Sequence, residues 1–291
     1  MIYTNIFDTH SHYDDEAFDS DREELILSLK DKGVVGAVSC GCDIPSTAAN
    51  RDLAHKFNNF YFAAGFHPEN LEEYGIDDLS LLDEYLNDEK CVAVGEIGLD
   101  YHWMESTKEK QKAFFEAQIE IAKNNDLPVI VHDREAHGDT LDILKATKPK
   151  GVLHCFSGSK EMAREIIKLG MYIGLNGVAT FKNARKSLEV VKEIPLDRLV
   201  LETDCPYLAP EPHRGKRNDS SYIPFIAERI GEVLGMSAQE VLDQTCQNAK
   251  KLYKLGDVYK RQLLRKCRLF FMPIGRCRIL KGCSLQAEFA G

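Results

Sequence analysis

The most constraining feature of this sequence is the alternation of short apolar segments with longer amphipathic segments along most of the chain. Eight apolar segments have the length and composition of buried strands: 5–9, 34–40, 60–65, 91–96, 128–132, 151–155, 172–175 and 199–202. Helical patterns are predicted between and after them, at 21–32, 46–58, 77–87, 107–125, 139–147, 160–169, 183–193, 223–234, 238–244 and 248–253.

Strand–helix alternation of this kind predicts a parallel sheet, because parallel strands need long crossover connections that helices supply. Eight repeats within about 250 residues favour one TIM-like (β/α)8 barrel over residues 1–255. A doubly wound open sheet is the alternative α/β fold. It is disfavoured because no Gly-x-Gly-x-x-Gly turn follows the first strand.

The alternation of apolar and amphipathic segments ends after Leu255, and the net charge changes from negative to positive there. Residues 256–291 hold eight Lys or Arg and two acidic residues, whereas the preceding 255 residues hold 29 basic and 44 acidic groups. A basic tail is a candidate nucleic-acid-binding arm. We favour the simpler interpretation that residues 256–291 are an appendage outside the fold and the site.

The acidic body argues against a broad phosphate-binding surface, so a nucleic-acid partner would need a local cationic site or bound metal.

Cysteine usage and hydropathy bear on the compartment. The nine cysteines show no framework spacing, and several lie in predicted buried strands, which indicates free thiols in a reducing environment. No apolar run reaches the roughly 18 residues of a membrane span, and the first residues lack the pattern of a secretion signal. These features predict a cytoplasmic protein without a membrane partner. They leave the oligomeric state open, and a monomer is compatible with them.

A histidine pair follows the first predicted strand. In an extended strand, side chains two residues apart point the same way, so His10 and His12 form a pair of imidazoles that can chelate one metal ion. Taken alone, a His-x-His pair is more often a surface feature. The metal interpretation therefore depends on further ligands at the ends of the other strands.

Four other predicted strands end in, or lead directly into, metal-ligand side chains: Glu96, His132, His154 and Asp204. In a parallel barrel all strands end at the same rim, where catalytic groups gather. Singly, each side chain has an ordinary structural role, such as bonding a loop or capping a helix. Together with His10 and His12, four imidazoles and two carboxylates at one rim need cations as partners.

Several segments resemble the signature blocks of the TatD family of metal-dependent deoxyribonucleases, which are amidohydrolase-like barrels. These segments begin with Asp8-Thr9-His10-Ser11-His12, and the others are 65–68, 95–101, 132–134, 154–158, 202–208, 214–218 and 247–253. The resemblance covers residues 1 to about 255. It departs from the family pattern after Asn218, where Asp219-Ser220-Ser221 replaces an expected Glu-Pro, which leaves one loop contact in doubt.

The resemblance implies that two divalent ions are held by six side chains: His10, His12, Glu96, His132, His154 and Asp204. In this arrangement Asp204 joins the first two histidines at one ion, the other two histidines hold the second, and Glu96 bridges the ions. Asp204 and Glu96 are then the predicted catalytic residues, with Asp204 as general base. Glu202 is predicted to be a hydrogen-bond partner behind them. The ligand types admit Mg, Mn, Zn or Ni.

Three further residues are predicted to touch substrate: His67, Tyr101 and Arg134. Their alternative roles are structural, since Arg134 can pair with an acid and Tyr101 can simply pack. The reaction that the resemblance implies is phosphodiester hydrolysis in DNA or another nucleic acid, starting from a 3′ end. The alternative is a D-aminoacyl-tRNA deacylase or small-molecule amidohydrolase that uses the same metal site, and a non-catalytic metal-binding protein is a third, weaker reading.

Overall fold

Eight buried strands form at the predicted apolar segments in the computed structural model, which describes residues 3–257. The strands are β1 Ile6–Ser11, β2 Val34–Cys40, β3 Phe60–Ala64, β4 Cys91–Asp100, β5 Val129–Arg134, β6 Gly151–Leu153, β7 Tyr172–Leu175 and β8 Leu199–Leu201. They pair in parallel in the order β1 to β8. The prediction of a TIM-like (β/α)8 barrel is confirmed.

Helices cover the outside of this barrel. They are α1 Arg22–Leu29, α2 Ile44–Lys56, α3 Asp83–Leu86, α4 Lys108–Asn124, α5 His137–Thr147, α6 Lys160–Lys168, α7 Arg185–Glu193, α8 Ile223–Leu234 and α9 Ala238–Leu252. Side chains cap several of them, because the first backbone N–H groups of a helix lack internal partners. Asp43 caps α2, and Ser237 forms a capping box with Glu240 at α9. The region predicted as one helix at 77–87 is a 3-10 turn followed by α3.

The last helix corrects one prediction. Two helices were predicted at 238–244 and 248–253, but α9 runs without interruption through the intervening polar residues. Thr245, within the predicted break, and Asn248, directly after it, lie on the buried face of α9: Thr245 donates to the carbonyl of Val241, and the Asn248 amide donates to the carbonyl of Leu199 at 2.7 Å. The predicted interruption is wrong because hydrogen bonds to neighbouring backbone satisfy these polar groups within the core.

The seam between the last and the first strand closes the ring and positions the site. The backbone N–H of Asp204 donates to the carbonyl of His10 at 3.0 Å, and that of His12 donates to the carbonyl of Cys205 at 2.8 Å. The buried Asp8 carboxylate accepts hydrogen bonds from the Thr203 amide and hydroxyl, at 3.0 and 2.6 Å. The segment after β8 is therefore fixed directly against β1.

Ser220 adds a further bond to this seam, and it lies within the segment that departs from the TatD pattern. Its hydroxyl donates to Asp8 at 2.7 Å. Burial raises the pKa of Asp8 to about 6, although the hydrogen bonds from Thr203 and Ser220 oppose the rise. The segment that departs from the family pattern therefore contributes a hydrogen bond to the seam through Ser220.

The C-terminal end of α9 reaches the barrel interior. Tyr253 is buried, its ring lies beside that of Phe7, and its hydroxyl donates to the carbonyl of Thr9 at 2.7 Å. None of the helices in the described part of the chain combines the length and apolar character that a bilayer crossing requires. The predicted tail at 256–291 lies almost entirely outside the described residues, so its separation from the barrel stays a prediction.

Candidate metal centre

The first donor set combines β1 with the segment that follows β8. The Nε2 atoms of His10 and His12 are 3.0 Å apart, and each lies 3.4 Å from Oδ1 of Asp204. Oε2 of Glu96 lies 3.2 Å from the first of these nitrogens and 3.5 Å from the second. The seam hydrogen bonds described above hold Asp204 in this position.

The spacing of these four atoms suits one metal ion. Four ligands about 2.1 Å from a tetrahedral ion lie about 3.4 Å from one another. The five distances given above span 3.0 to 3.5 Å. Two imidazole nitrogens and two carboxylate oxygens are also a donor set that borderline divalent ions accept. The residues present therefore fit a divalent ion.

Glu96 lies in the middle of its strand and not at the end, which differs from the prediction. β4 continues to Asp100 because residues 97–100 pair with 131–134 of β5. Gly98 makes this pairing possible, since a Cβ atom there would collide with the backbone carbonyl of His132. The strand extension brings Glu96 and Asp100 alongside the histidine of the neighbouring strand.

The second donor set faces the other oxygen of Glu96. Oε1 of Glu96 lies 2.9 Å from Nδ1 of His132 and 2.7 Å from Nε2 of His154, and these two nitrogens are 3.3 Å apart. Nε2 of His67 lies 3.5 Å from the same oxygen. The two oxygens of one carboxylate therefore face two different pairs of imidazoles.

The outer nitrogens of the imidazoles also have partners. Nδ1 of His12 lies 3.2 Å from the carbonyl of Cys40, and Nδ1 of His10 lies 3.4 Å from the thiol of Cys40. Nε2 of His132 lies 3.0 Å from Oδ2 of Asp100. Such contacts on the far nitrogen orient a histidine ligand and fix its tautomer.

Glu202 is fully buried behind His154, near where the sequence predicted a hydrogen-bond partner. Its Oε1 accepts the backbone N–H of Cys155 and lies 3.6 Å from Nδ1 of His154, which is longer than a hydrogen bond. Among the described residues, Nδ1 of His154 and Oε2 of Glu202 have no hydrogen-bond partner. Gly174 leaves room for this carboxylate, since a Cβ atom there would collide with it.

Burial and close neighbours shift the pKa values of side chains in the two donor sets. Burial raises the pKa of Glu96, but His154 and His10 outweigh that effect and hold it well below its ordinary value. Burial lowers the pKa of His132, whereas hydrogen bonds to Asp100 and Glu96 raise it to about 9. The Glu96 carboxylate is therefore held in its ionised form, and its negative charge favours positively charged partners on both sides.

The donor sets lie at the bottom of a cavity of about 860 Å³. His67 and Arg134, two of the predicted substrate contacts, line it, whereas Tyr101 does not. The hydroxyl of Tyr101 donates to Asp139 at 2.7 Å, outside the cavity. Seven carboxylates line the cavity: Asp14, Asp15, Asp43, Glu69, Glu96, Asp133 and Asp204.

Sequence reasoning missed Asp100 and Trp103 as residues of the site. Asp100 contacts His132, and Trp103 lines the cavity. The signal for Asp100 was its spacing: in a strand that continues past Glu96, Asp100 lies on the same face as Glu96. No comparable signal marks Trp103, because a residue in a loop after a strand has no periodicity.

The barrel and the donor sets at its carboxyl-terminal rim define a metal-dependent barrel hydrolase. The sequence model of the family described as TatD related DNase matches residues 7–254. The chain thus belongs to the TatD family, as its motifs indicated.

Relatives with high similarity match almost the whole barrel. The chain is 44% identical over 254 residues to the uncharacterized metal-dependent hydrolase YabD of Bacillus subtilis, which covers 86% of this chain and 100% of the relative. It is 32% identical over 260 residues to a Pantoea vagans protein named 3′-5′ ssDNA/RNA exonuclease TatD, with the same two coverages. The solved structure of YJJV, a TatD homolog from Escherichia coli, has a TM-score of 0.81 and 31% identity, covering 87% of this chain and 99% of that one.

Proposed function

We propose that this protein is a two-metal nuclease that removes nucleotides from the 3′ end of DNA or a related single-stranded nucleic acid. The observation that carries the proposal is the position of the Glu96 carboxylate. One of its oxygens faces His10 and His12, and the other faces His132 and His154. A carboxylate shared in this way suits two neighbouring ions.

The chain's own residues then have defined roles. His10, His12 and Asp204 would hold one ion, His132 and His154 the other, and Glu96 would bridge them. When bound, the two ions supply Lewis acidity to the phosphodiester and ease deprotonation of water. The Asp204 carboxylate lines the cavity beside both histidines of β1, so it is suited to accept the proton of an attacking water.

The relative named as a single-strand exonuclease supports the choice of substrate, because its match extends over the same barrel. Arg134 offers a phosphate contact, since it is the one lysine or arginine among the described residues that line the cavity. His67 lies beside the second donor set and suits a contact to the scissile group.

The test combines metal analysis with a nuclease assay. Purified protein is analysed for Mg, Mn, Zn and Ni, and 3′-labelled and 5′-labelled single-stranded DNA are then incubated with and without chelator. We expect about two ions per chain, loss of the 3′ label first, and no cleavage after chelation. Cleavage that persists after complete metal removal would refute the proposal.

A second candidate is favoured by the charge of the cavity. Seven carboxylates on its wall suit a small or weakly charged ester better than a long polyanion. This charge favours a small-molecule amidohydrolase that uses the same donor sets. A D-aminoacyl-tRNA deacylase would use them too, but the polyanionic body of its tRNA would have to stay outside the cavity. Parallel assays of oligonucleotide and D-aminoacyl-tRNA, with matched metals, separate the two candidates by their relative rates.

A further inference from the structure

Two aromatic side chains at the cavity mouth are exposed to an unusual degree. Trp103 is 54% exposed and Tyr207 is 56% exposed, and both line the cavity above the donor sets. Trp103 is also the one tryptophan of the whole chain. Large aromatic rings left in water at a binding cavity are typical of surfaces that bind a partner.

The two rings come from opposite sides of the barrel. Trp103 lies in the loop after β4, and Tyr207 lies in the segment after β8. In a ring of eight strands these two are four strands apart, which is the largest separation that the ring allows. The cavity and its donor sets therefore lie between the two aromatic side chains.

Contacts with neighbouring residues restrain the two rings and the loop that carries Trp103. The backbone N–H of Trp103 donates to Asp100 at 3.0 Å, and the guanidinium carbon of Arg134 lies 5.4 Å from the centre of the indole ring. The hydroxyl of Tyr207 donates to Asp15 at 2.7 Å. Binding to rings that are already oriented costs less entropy than binding to mobile side chains.

The charge of the wall indicates what these rings bind. Apart from the proposed metal ligands Glu96 and Asp204, five carboxylates and one arginine line the cavity, and they give a polyanion little electrostatic attraction. Nucleobases, in contrast, stack on aromatic rings without regard to backbone charge. Stacking is therefore the source of affinity that remains for a single strand in this cavity.

We propose that Trp103 and Tyr207 form a base-stacking site, in which unpaired nucleobases near the 3′ end stack on the two rings and leave the phosphate between them at the donor sets. This inference rests on the proposed nuclease function and adds how the strand is bound. It predicts that affinity depends on the bases more than on the number of phosphates, with a shallow dependence on salt.

The fluorescence of Trp103 provides a direct test, because no other tryptophan contributes to the signal. The full chain is titrated with a short oligodeoxyadenylate whose phosphorothioate linkages resist cleavage. A second oligomer has the same length and charge but abasic residues at its 3′ end. We expect the first to quench the fluorescence and the second to bind about 5- to 150-fold more weakly, in proportion to the stacking lost.

Variants test each ring, with binding followed by the anisotropy of a labelled oligomer. Trp103→Ala and Tyr207→Leu are each expected to raise Kd and KM about 5-fold or more, with a smaller effect on kcat. Trp103→Phe and Tyr207→Phe keep a ring and are expected to retain most of the affinity. Leu27→Ala is the matched control, because Leu27 is exposed in a groove at the opposite end of the strands.

Equal binding of the adenylate and abasic oligomers would overturn the base-stacking site, as would a change in the solution mass of Trp103→Ala that shows a second copy covering the ring. Hydrolysis of unmodified oligomer is measured separately with Mg²⁺, Mn²⁺, Zn²⁺ and Ni²⁺. Cleavage together with equal binding would remove the stacking site and leave the nuclease function. Base-dependent binding without cleavage under any metal would support the stacking site and refute the nuclease function.

Discussion

The contact between His132 and Asp100 gives the two ring nitrogens of His132 different partners. Its Nε2 lies 3.0 Å from Oδ2 of Asp100, so its Nδ1 faces Oε1 of Glu96 at 2.9 Å. The other oxygen of Asp100 accepts the backbone N–H groups of His102 and Trp103. One carboxylate therefore orients a proposed metal ligand and also the loop that carries the exposed indole ring.

The first prediction concerns this carboxylate. In Asp100→Asn an amide N–H group can face Nε2 of His132, which would favour the tautomer with its proton on Nδ1. We expect metal affinity at the second donor set and turnover to fall about 10- to 100-fold. Turnover measured against Mn²⁺ concentration checks this, with Asp52→Asn, at an exposed position, as control. The same metal dependence in both variants would contradict the role of Asp100.

The second prediction concerns the shared carboxylate. Glu96→Gln keeps the size of the side chain but removes the charge between the two donor sets, so we expect turnover to fall at least about 100-fold and metal content to decrease. Circular dichroism is expected to match the unchanged protein. A variant with full metal content and full activity on single-stranded DNA would show that Glu96 bridges nothing.

The third prediction concerns the seam. Asp8→Ala leaves the Thr203 amide and hydroxyl and the Ser220 hydroxyl without their buried acceptor. We expect the free energy of unfolding to fall by about 3 kcal/mol, since each unsatisfied buried group costs about 1–3 kcal/mol. Urea denaturation measures it. Asp52→Ala, at an exposed position, is the control and is expected to change stability by less than about 0.5 kcal/mol.

The fourth prediction concerns metal removal. Ions that bind only the folded chain stabilise it by about 3–4 kcal/mol when their free concentration is 100 to 1,000 times Kd. We therefore expect the chelated protein to have a lower Tm than the protein in excess Mn²⁺. The shift is expected to be smaller in Glu96→Gln. An identical Tm with and without metal would argue against ion binding at these side chains.

The alternation of segments was sufficient to predict the barrel, because buried parallel strands are apolar along their whole length and are read directly from sequence. β2 and β7 have the predicted bounds. The continuation of β4 beyond Glu96 was missed, since it depends on pairing with β5 and on the space at Gly98. Likewise α9 was divided at Thr245 because polar residues on a buried helix face resemble a break until their partners are known.

The donor side chains were predicted as a group from the rule that parallel strands end at one rim, and the structure places neighbouring nitrogen and oxygen atoms among them 2.7 to 3.5 Å apart. Their supporting contacts were less accessible to sequence reasoning. The role of Asp100 depends on which histidine nitrogen it meets, and the exposure of Trp103 depends on the path of a loop. The spacing of Asp100 from Glu96 indicates that the two share a strand face but not which nitrogen Asp100 meets, and the loop of Trp103 has no periodic pattern.

The seam between β1 and the segment after β8 joins residues that are synthesised at very different times. Asp8 and Thr203, which it joins, are 195 residues apart in the chain. A ribosome synthesises the two histidines of β1 early and Asp204 much later, so a chain that ends before Asp204 lacks one member of the proposed ligand set. If the proposed ligand set is required for turnover, copies that terminate before Asp204 are expected to lack hydrolytic activity.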